Sequence, residues 1–396
     1  MSNRTRHRAP AAAVALLGTV VLTACGGGAV AGSQSGPASS PSAGAVRQPA
    51  GFTLVASGDV LPHAAIIRQA QADAGGTGYD FHKMLAGVQP VVSTADLSIC
   101  HMETVYGGRG GPFTGYPTFK SPPQVAQALK DTGYDTCSTA SNHTLDDGAD
   151  GIRHTLDAMD AAGVRHAGSA RSAAEARTPT LLKAGSATVA QLAYSYDTNG
   201  FPLPDGQPWA VNLIDPERII ADARAARKAG ADVVVVSLHW GTEWQDAPDE
   251  TQLTLGKQLT AARTGGRPDI DLILGTHAHI PQAYEKVNGT WVVYGMGDQV
   301  AGEMFNYDNE QDARGNMGSI ARFTFAPPAT AGQRWEVRKA EFVPQLMDLG
   351  APFRVVVLND ALRKNPGRAD YVRARDHIRR MVLSRGAGAA GLTMVP

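Results

Sequence analysis

The chain has 396 residues, 43% of them hydrophobic, enough for one large domain or two of roughly 100–200 residues each. Its 36 Lys+Arg against 37 Asp+Glu give a formal charge of −1, which excludes a domain that holds nucleic acid by bulk positive charge. Three cysteines exclude a disulfide-dense scaffold, so the placement of the 11 histidines becomes the informative feature.

At the N-terminus, Arg4, Arg6 and Arg8 precede an apolar run of 14 residues, 11–24 (AAAVALLGTVVLTA). The run is shorter than the about 20 residues a membrane span needs, and its flanks are those of a secretory signal. It ends Leu22-Thr23-Ala24-Cys25, which resembles the lipobox of bacterial lipoproteins. That resemblance implies cleavage before Cys25 and lipidation of its thiol; a plain signal peptide is the alternative. Residues 25–50 are rich in Gly, Ala, Ser and Pro without apolar periodicity and read as a disordered linker. The expected place is the extracytoplasmic face of the cell membrane, anchored through Cys25. Loss of residues 1–24 takes the formal charge from −1 to −4. No later apolar run reaches 18 residues, so no transmembrane helix is expected.

From residue 51 onward, short apolar runs alternate with amphipathic stretches, the pattern of an α/β fold. Strands are expected at 52–57, 95–100, 135–140, 232–238, 270–275 and 290–295. Between them, PPQVAQALKDTG and DGIRHTLDAMDAAG read as helices closed by Gly133 and Gly163. DPERIIADARAARKAG has Asp215 as N-cap and Pro216 at the first helical position. TQLTLGKQLTAAR is a fourth helix. Beyond residue 300, alternation over 318–325, 335–343 and 353–360 suggests strands that form a second sheet packed on the first, an α/β/β/α sandwich. ADYVRARDHIRRMVLSRG reads as a basic amphipathic helix; a solvated face is favoured over an Arg cluster that meets an anionic polymer or lipid headgroups. The body at 51–396 therefore reads as one domain, with its core at 51–300.

Each expected strand is followed by polar chemistry: Asp59 and His63, His101 and Glu103, Asn142 and His143, His239, His277 and His279, then Asp298. Ligands of open α/β sheets bind at the carboxyl ends of strands. One such histidine alone reads as a loop residue, and Asp59 alone as an N-cap; their coincidence at six strand ends reads as one shared site. His277-x-His279 adds alternate residues on an extended segment. Carboxylates, an amide oxygen and imidazoles without thiolate pairs suit Mn, Fe or Zn. The number of donors suggests two divalent ions, with Glu103 as the bridging carboxylate.

At these residues the sequence resembles the CapA family of capsule or poly-γ-glutamate synthesis proteins, a branch of the calcineurin-like metallophosphoesterases. The matching pieces are Gly58-Asp59, Met102-Glu103-Thr104, residues 117–122 (PTFKSP), residues 141–148 (SNHTLDDG), residues 239–243 (HWGTE), residues 275–279 (GTHAH) and residues 294–298 (YGMGD). The resemblance implies a four-layer metallophosphoesterase-like α/β/β/α fold. It implies that Asp59 and His279 hold one ion, that Asn142, His239 and His277 hold the other, and that Glu103 bridges. His143 is implied as the acid beside the substrate, with Glu103 as its catalytic companion. His63 and His101, Tyr194 with Asp197 and Asn199, and Asp298 are accessory candidates. The expected partner is an anionic cell-envelope polymer or its synthase complex, with the membrane reached through lipidated Cys25 and no nucleic acid. The expected activity is metal-dependent hydrolysis or transfer; the alternative is a non-catalytic assembly or export subunit of a capsule synthase complex. Cys100 and Cys137 fall at equivalent positions of two strands, and two free buried thiols are favoured over a disulfide.

Overall fold

The computed structural model describes residues 50–330 and 332–396. The expectations for the signal peptide at 1–24, for lipidation at Cys25 and for the linker up to residue 49 fall outside the described residues. In chain order the strands are β1 (Phe52–Val60), β2 (Leu97–Met102), β3 (Thr136–Ser138), β4 (Arg165–Ala167), β5 (Thr180–Ala184), β6 (Ala187–Ser195) and β7 (Val233–His239). They continue as β8 (Arg263–Thr264), β9 (Arg267–Pro268), β10 (Leu272–Thr276), β11 (Tyr284–Val287), β12 (Thr290–Val293), β13 (Asp298–Val300), β14 (Met317–Ala326), β15 (Glu336–Asp348), β16 (Arg354–Val357) and β17 (Leu392–Met394).

Two sheets stack face to face. The first has the order β16-β15-β14-β1-β2-β3-β4, with β13 beside β1 and β17 beside β15. The second has the order β11-β12-β10-β7-β6-β5. Strand β7 shows why the chain reads as continuous apolar runs. Its Val233 and Val235 enter the core between the sheets, while Val234, Val236 and Leu238 pack on the helices outside. A strand covered on both faces has no solvent side to make polar. Leu54 and Ala56 of β1 likewise face inward, and Val55 faces the helices.

Helices close both outer faces. Ala64–Asp73, Gln124–Thr132 and Gly148–Ala162 cover the first sheet through Ile66, Ala70, Val125, Leu129 and Met159. Gly133 and Gly163 end two of them in left-handed conformation, at φ +113° and +76°. Pro216–Lys228 and Glu250–Ala261 cover the second sheet. Asp215 caps the former by accepting from Glu217 and Arg218 N–H, and Asp249 forms a capping box with Gln252 on the latter. The result is the four-layer α/β/β/α sandwich.

The second sheet is not where the sequence suggested. β14, β15 and β16 join the first sheet, β14 pairing antiparallel with β1 from Phe52↔Phe325 to Ala56↔Ala321. The second sheet is built instead from residues 180–293. The alternation identified strands, but a period of two carries no information on pairing partners. The expected strand at 353–360 ends at Val357 and turns into the helix Leu358–Lys364. The basic helix, Ala369–Val382, buries Tyr371, Ala374, Ile378 and Val382 and leaves Arg373, Arg379 and Arg380 exposed.

Cys100 and Cys137 form a disulfide, against the expectation of free thiols. They stand in direct register across the parallel strands β2 and β3, with Cα atoms 4.4 Å apart, and both enter the layer under the helices. That separation is at the short end of the range a disulfide spans.

Candidate metal centre

The carboxyl ends of β1, β2, β7 and β10, the turn after β3, and the start of β13 converge on one buried site. Asp59, near the end of β1, is in register with His101 of β2 on one side and with Asp298 of β13 on the other. Gly58 permits this approach, since a Cβ there would stand 1.7 Å from the Gly297 carbonyl oxygen. Glu103 lies one residue beyond β2, and His239 ends β7 opposite Thr276. His277 and His279 follow β10 with φ of +90° and +59°. Both reach the site, but from left-handed backbone rather than the extended segment the spacing suggested. Such conformations cost on the order of 1–3 kcal/mol each and persist only where the surroundings impose them. Here the His277 N–H points to the Asp59 carboxylate at 3.3 Å, and Trp244 N–H donates to Ala278 O at 3.0 Å.

The donors approach one another without bonding. His101 Nε2 is 3.5 Å from Asp59 Oδ1, and His239 Nδ1 is 3.8 Å from the same oxygen. His239 Nε2 is 3.7 Å from Glu103 Oε1. Glu243 Oε1 stands 4.0 Å from His277 Nδ1 and 3.9 Å from His279 Nε2. Most of these separations are too long for good hydrogen bonds. Donors that each sit about 2.0–2.2 Å from one ion stand roughly 3–4 Å apart, as these do. Shorter contacts orient the set. His101 Nδ1 meets Ser138 Oγ at 2.7 Å, His279 Nδ1 meets Asp298 Oδ1 at 3.0 Å, and His239 Nε2 meets Asn142 Oδ1 at 2.9 Å.

Among the described residues, the sets able to hold an ion are Asp59-His101-His239, Glu103-His239-His277, Glu243-His277-His279 and Asp59-His279-Asp298. Their electrostatics ask for a cation. Burial, then the charge of Asp298, pushes the Asp59 carboxyl up to about 8; burial raises Asp298 to about 6. Burial raises Glu103 well above the carboxylate range. Burial and neighbouring imidazoles hold His239 and His277 well below the usual histidine range. For His279 burial opposes charge, but Asp298 and Glu103 outweigh it and keep the ring well above its usual value. Both Glu103 oxygens, His101 Nε2, His277 Nδ1 and Asp298 Oδ2 are buried without a hydrogen-bond partner. Native proteins rarely leave such atoms unpaired, and lone pairs on N and O donors are what a divalent ion satisfies. The residues therefore fit divalent metal binding.

His143 belongs to none of these sets. Its Nδ1 lies 2.8 Å from Asp146 Oδ2, which also accepts from Phe119 N–H at 2.6 Å. Asn142 Nδ2 donates to Asn199 Oδ1 at 3.2 Å, and Asn199 Nδ2 stands 3.5 Å from His143 Nδ1.

Two accessory candidates stand apart from the ligand sets. Tyr194 points to the opposite face of the second sheet, where its hydroxyl donates to Asp222 at 2.9 Å among the outer helices. His63 accepts from Gly302 N–H through Nδ1 and packs edge-on to Phe119, and burial lowers it to about 4. Asp197 turns its carboxylate to Thr198 N–H. The sequence reading gave no role to Glu243, although it closes the quoted 239–243 piece. It also missed Tyr196, whose ring lies tilted against His277 with centroids 4.4 Å apart. Tyr196 lies just past β6, where its N–H donates to His239 O. Alternation along β6 does not extend to it.

Comparison with known proteins gives this geometry a family. The chain is 30% identical over 179 residues to the PGA biosynthesis protein CapA of Bacillus subtilis, covering 45% of each. It is 26% identical over 181 residues to the capsule biosynthesis protein CapA of Bacillus anthracis, covering 45% of this chain and 42% of that one. A Mycobacterium tuberculosis protein named "Probable polyglutamine synthesis accessory protein" is 27% identical over 223 residues, covering 52% of this chain and 56% of that one. The chain thus spans only about half the length of these relatives. Among solved structures, the calcineurin-like phosphoesterase YfkN of Bacillus subtilis aligns over 82% of this chain and 99% of its own at 14% identity, with a TM-score of 0.43. The model of the bacterial capsule synthesis protein family PGA_cap matches residues 53–303, well over half the chain, and the chain belongs to that family.

Proposed function

We propose that the protein is a lipid-anchored, extracytoplasmic hydrolase or transferase that acts on an anionic cell-envelope polymer of the poly-γ-glutamate type. The observation that carries this reading is the set of unpartnered buried donors on Glu103, His101, His277 and Asp298, all at one site. Two divalent ions, Mn, Fe or Zn by the donor chemistry, would fit it. Asp59, Asp298, His279 and His101 would hold one; His239, His277, Asn142 and Glu243 would hold the other; Glu103, which falls in one donor set with His239 and His277, would serve both. When bound, such ions supply Lewis acidity toward a carbonyl oxygen and toward water.

The chain's own residues do the rest. Asp146 fixes the His143 imidazole through Nδ1, leaving Nε2 to carry a proton to a leaving amine. Tyr196, 45% exposed, offers a flat face beside His277 against which a polymer unit can rest. The anchor at Cys25 would hold this site against the envelope where the polymer is made. A second reading, an accessory subunit of a synthase complex, is favoured by the name of the mycobacterial relative.

Elemental analysis of purified wild type beside His277→Ala, followed by incubation with poly-γ-glutamate, tests the proposal. Bound transition metal in the wild type, its loss in the variant, and chain shortening by the wild type alone are expected. Wild type that carries no metal overturns the metal assignment. Metal-loaded protein that leaves chain length unchanged, in cells where His239→Ala and His277→Ala still support the polymer, moves the assignment to the accessory reading. Lipid labelling that survives Cys25→Ala overturns the anchor.

A further inference from the structure

A cavity of about 900 Å³ opens at the edge of the second sheet, where β5 begins at Thr180 opposite Gln191 and β6 runs on to Ser195. None of the ligand candidates of the metal centre lines it. Its lining is unbalanced toward hydrogen-bond donors. Gln191 is 1% exposed; its Oε1 accepts from Thr136 Oγ1 at 2.6 Å, and its Nε2 has no partner. Trp209 Nε1 is buried in the same lining, also without a partner. Buried donors without acceptors are exceptions that call for a ligand, an ion or water.

The charges point the same way. The cavity's acids are already answered: Arg171 binds Asp160 and Glu175, and Asp222 accepts from Tyr194 and faces Arg218 at 3.5 Å. Arg165 and Arg177 line the cavity without an ion pair among the described residues. Between these donors the wall is apolar, with Ala167, Leu192 and Ala193. Amide, indole and guanidinium N–H groups match the lone pairs of carboxylates, and the apolar wall suits methylene segments between them. A volume of this size takes a ligand of two or three residues.

We propose that this cavity is a second binding site, separate from the metal centre, for a short aliphatic chain bearing carboxylates. It stands whether or not the metal centre is catalytic.

The test uses full-length protein with ¹⁵N-labelled tryptophan, the Trp209 indole resonance being assigned through Trp209→Phe. Titration with tri-γ-glutamate is expected to move that resonance saturably, and equally in His277→Ala. Joint replacement Arg165→Ala and Arg177→Ala, at two exposed positions, is expected to weaken binding about tenfold or more without unfolding the protein. Gln191→Leu should weaken it as well. No movement with tri-γ-glutamate overturns the proposal. Equal movement with inorganic phosphate or with the uncharged tri-glutamine peptide overturns the carboxylate assignment. Loss of binding in His277→Ala returns the ligand to the metal centre.

Discussion

His143 stands outside the donor sets, and on the proposed reading it carries a proton rather than a metal ion. Asp146 Oδ2 receives both His143 Nδ1 and Phe119 N–H, and the Phe119 ring stands edge-on to the imidazole at 4.8 Å. The ring can neither turn nor exchange tautomers without losing these contacts. Replacing His143 by Ala should lower turnover roughly 10²–10⁴-fold, the size of a general-acid contribution. Bound metal should stay at the wild-type level. Asp146→Asn keeps the shape but weakens the hold on Nδ1, so a smaller loss of about 10–100-fold is expected, again with metal retained. Glu103→Gln should instead lose metal, since both of its buried oxygens lack any other partner. Turnover and metal content measured on the same preparations separate the two roles. Metal lost on His143→Ala would make His143 a ligand.

At the level of elements, two strands that deliver site residues are tied covalently. β2 leads into Glu103 and β3 into Asn142, and Cys100–Cys137 joins them across 37 residues of chain. The next turn is bound as well, since Ser141 Oγ donates to the Glu103 carbonyl. A crosslink over a loop of this length stabilises by about 2–4 kcal/mol, mainly by restricting the unfolded chain. Urea unfolding of wild type under reducing and non-reducing conditions should differ by that amount. The strands remain hydrogen-bonded in the folded protein, so metal content should be unchanged on reduction. A difference below about 0.5 kcal/mol would show that the unfolded chain does not feel the constraint. The segment after β7 is constrained without a crosslink. Gly241 sits at φ +95°, and a Cβ there would meet the Gln252 amide at 2.5 Å, so glycine is what lets the chain turn from His239 toward Glu243.

For the whole molecule, the sequence shows the site more clearly than the sheet order. Asp59, Glu103, His239 and their neighbours are legible because parallel strands present their carboxyl ends to one side, wherever each strand lies in the sheet. The pairing of β1 with β14 joins residues more than 260 positions apart, and nothing local encodes it. Glu243 and Tyr196 were hidden for a related reason: both stand on connections whose path is set by tertiary contacts, not by a strand or helix period. The converging charges have a consequence for stability that only the assembled site reveals. In chelated protein, burial and then the charge of Asp298 raise Asp59 to about 8, burial raises Glu103 well above the carboxylate range, and for His279 burial is outweighed by Asp298 and Glu103, which hold the ring well above its usual value. Between about pH 6.5 and 8.5 the folded chain therefore holds protons that the unfolded chain has released, and stability falls as pH rises through that window. Below it the sign reverses in part. Burial lowers His101 to about 3 and His63 to about 4, and holds His239 and His277 well below their usual range, so the unfolded chain takes up protons that these rings refuse. A bound divalent ion keeps the carboxylates ionised and removes the upper slope. The gap in Tm between metal-loaded and chelated protein should therefore widen from pH 6.5 to 8.5. Calorimetry across that range checks it, and a gap that stays constant or narrows would mean that these carboxylates do not carry the metal.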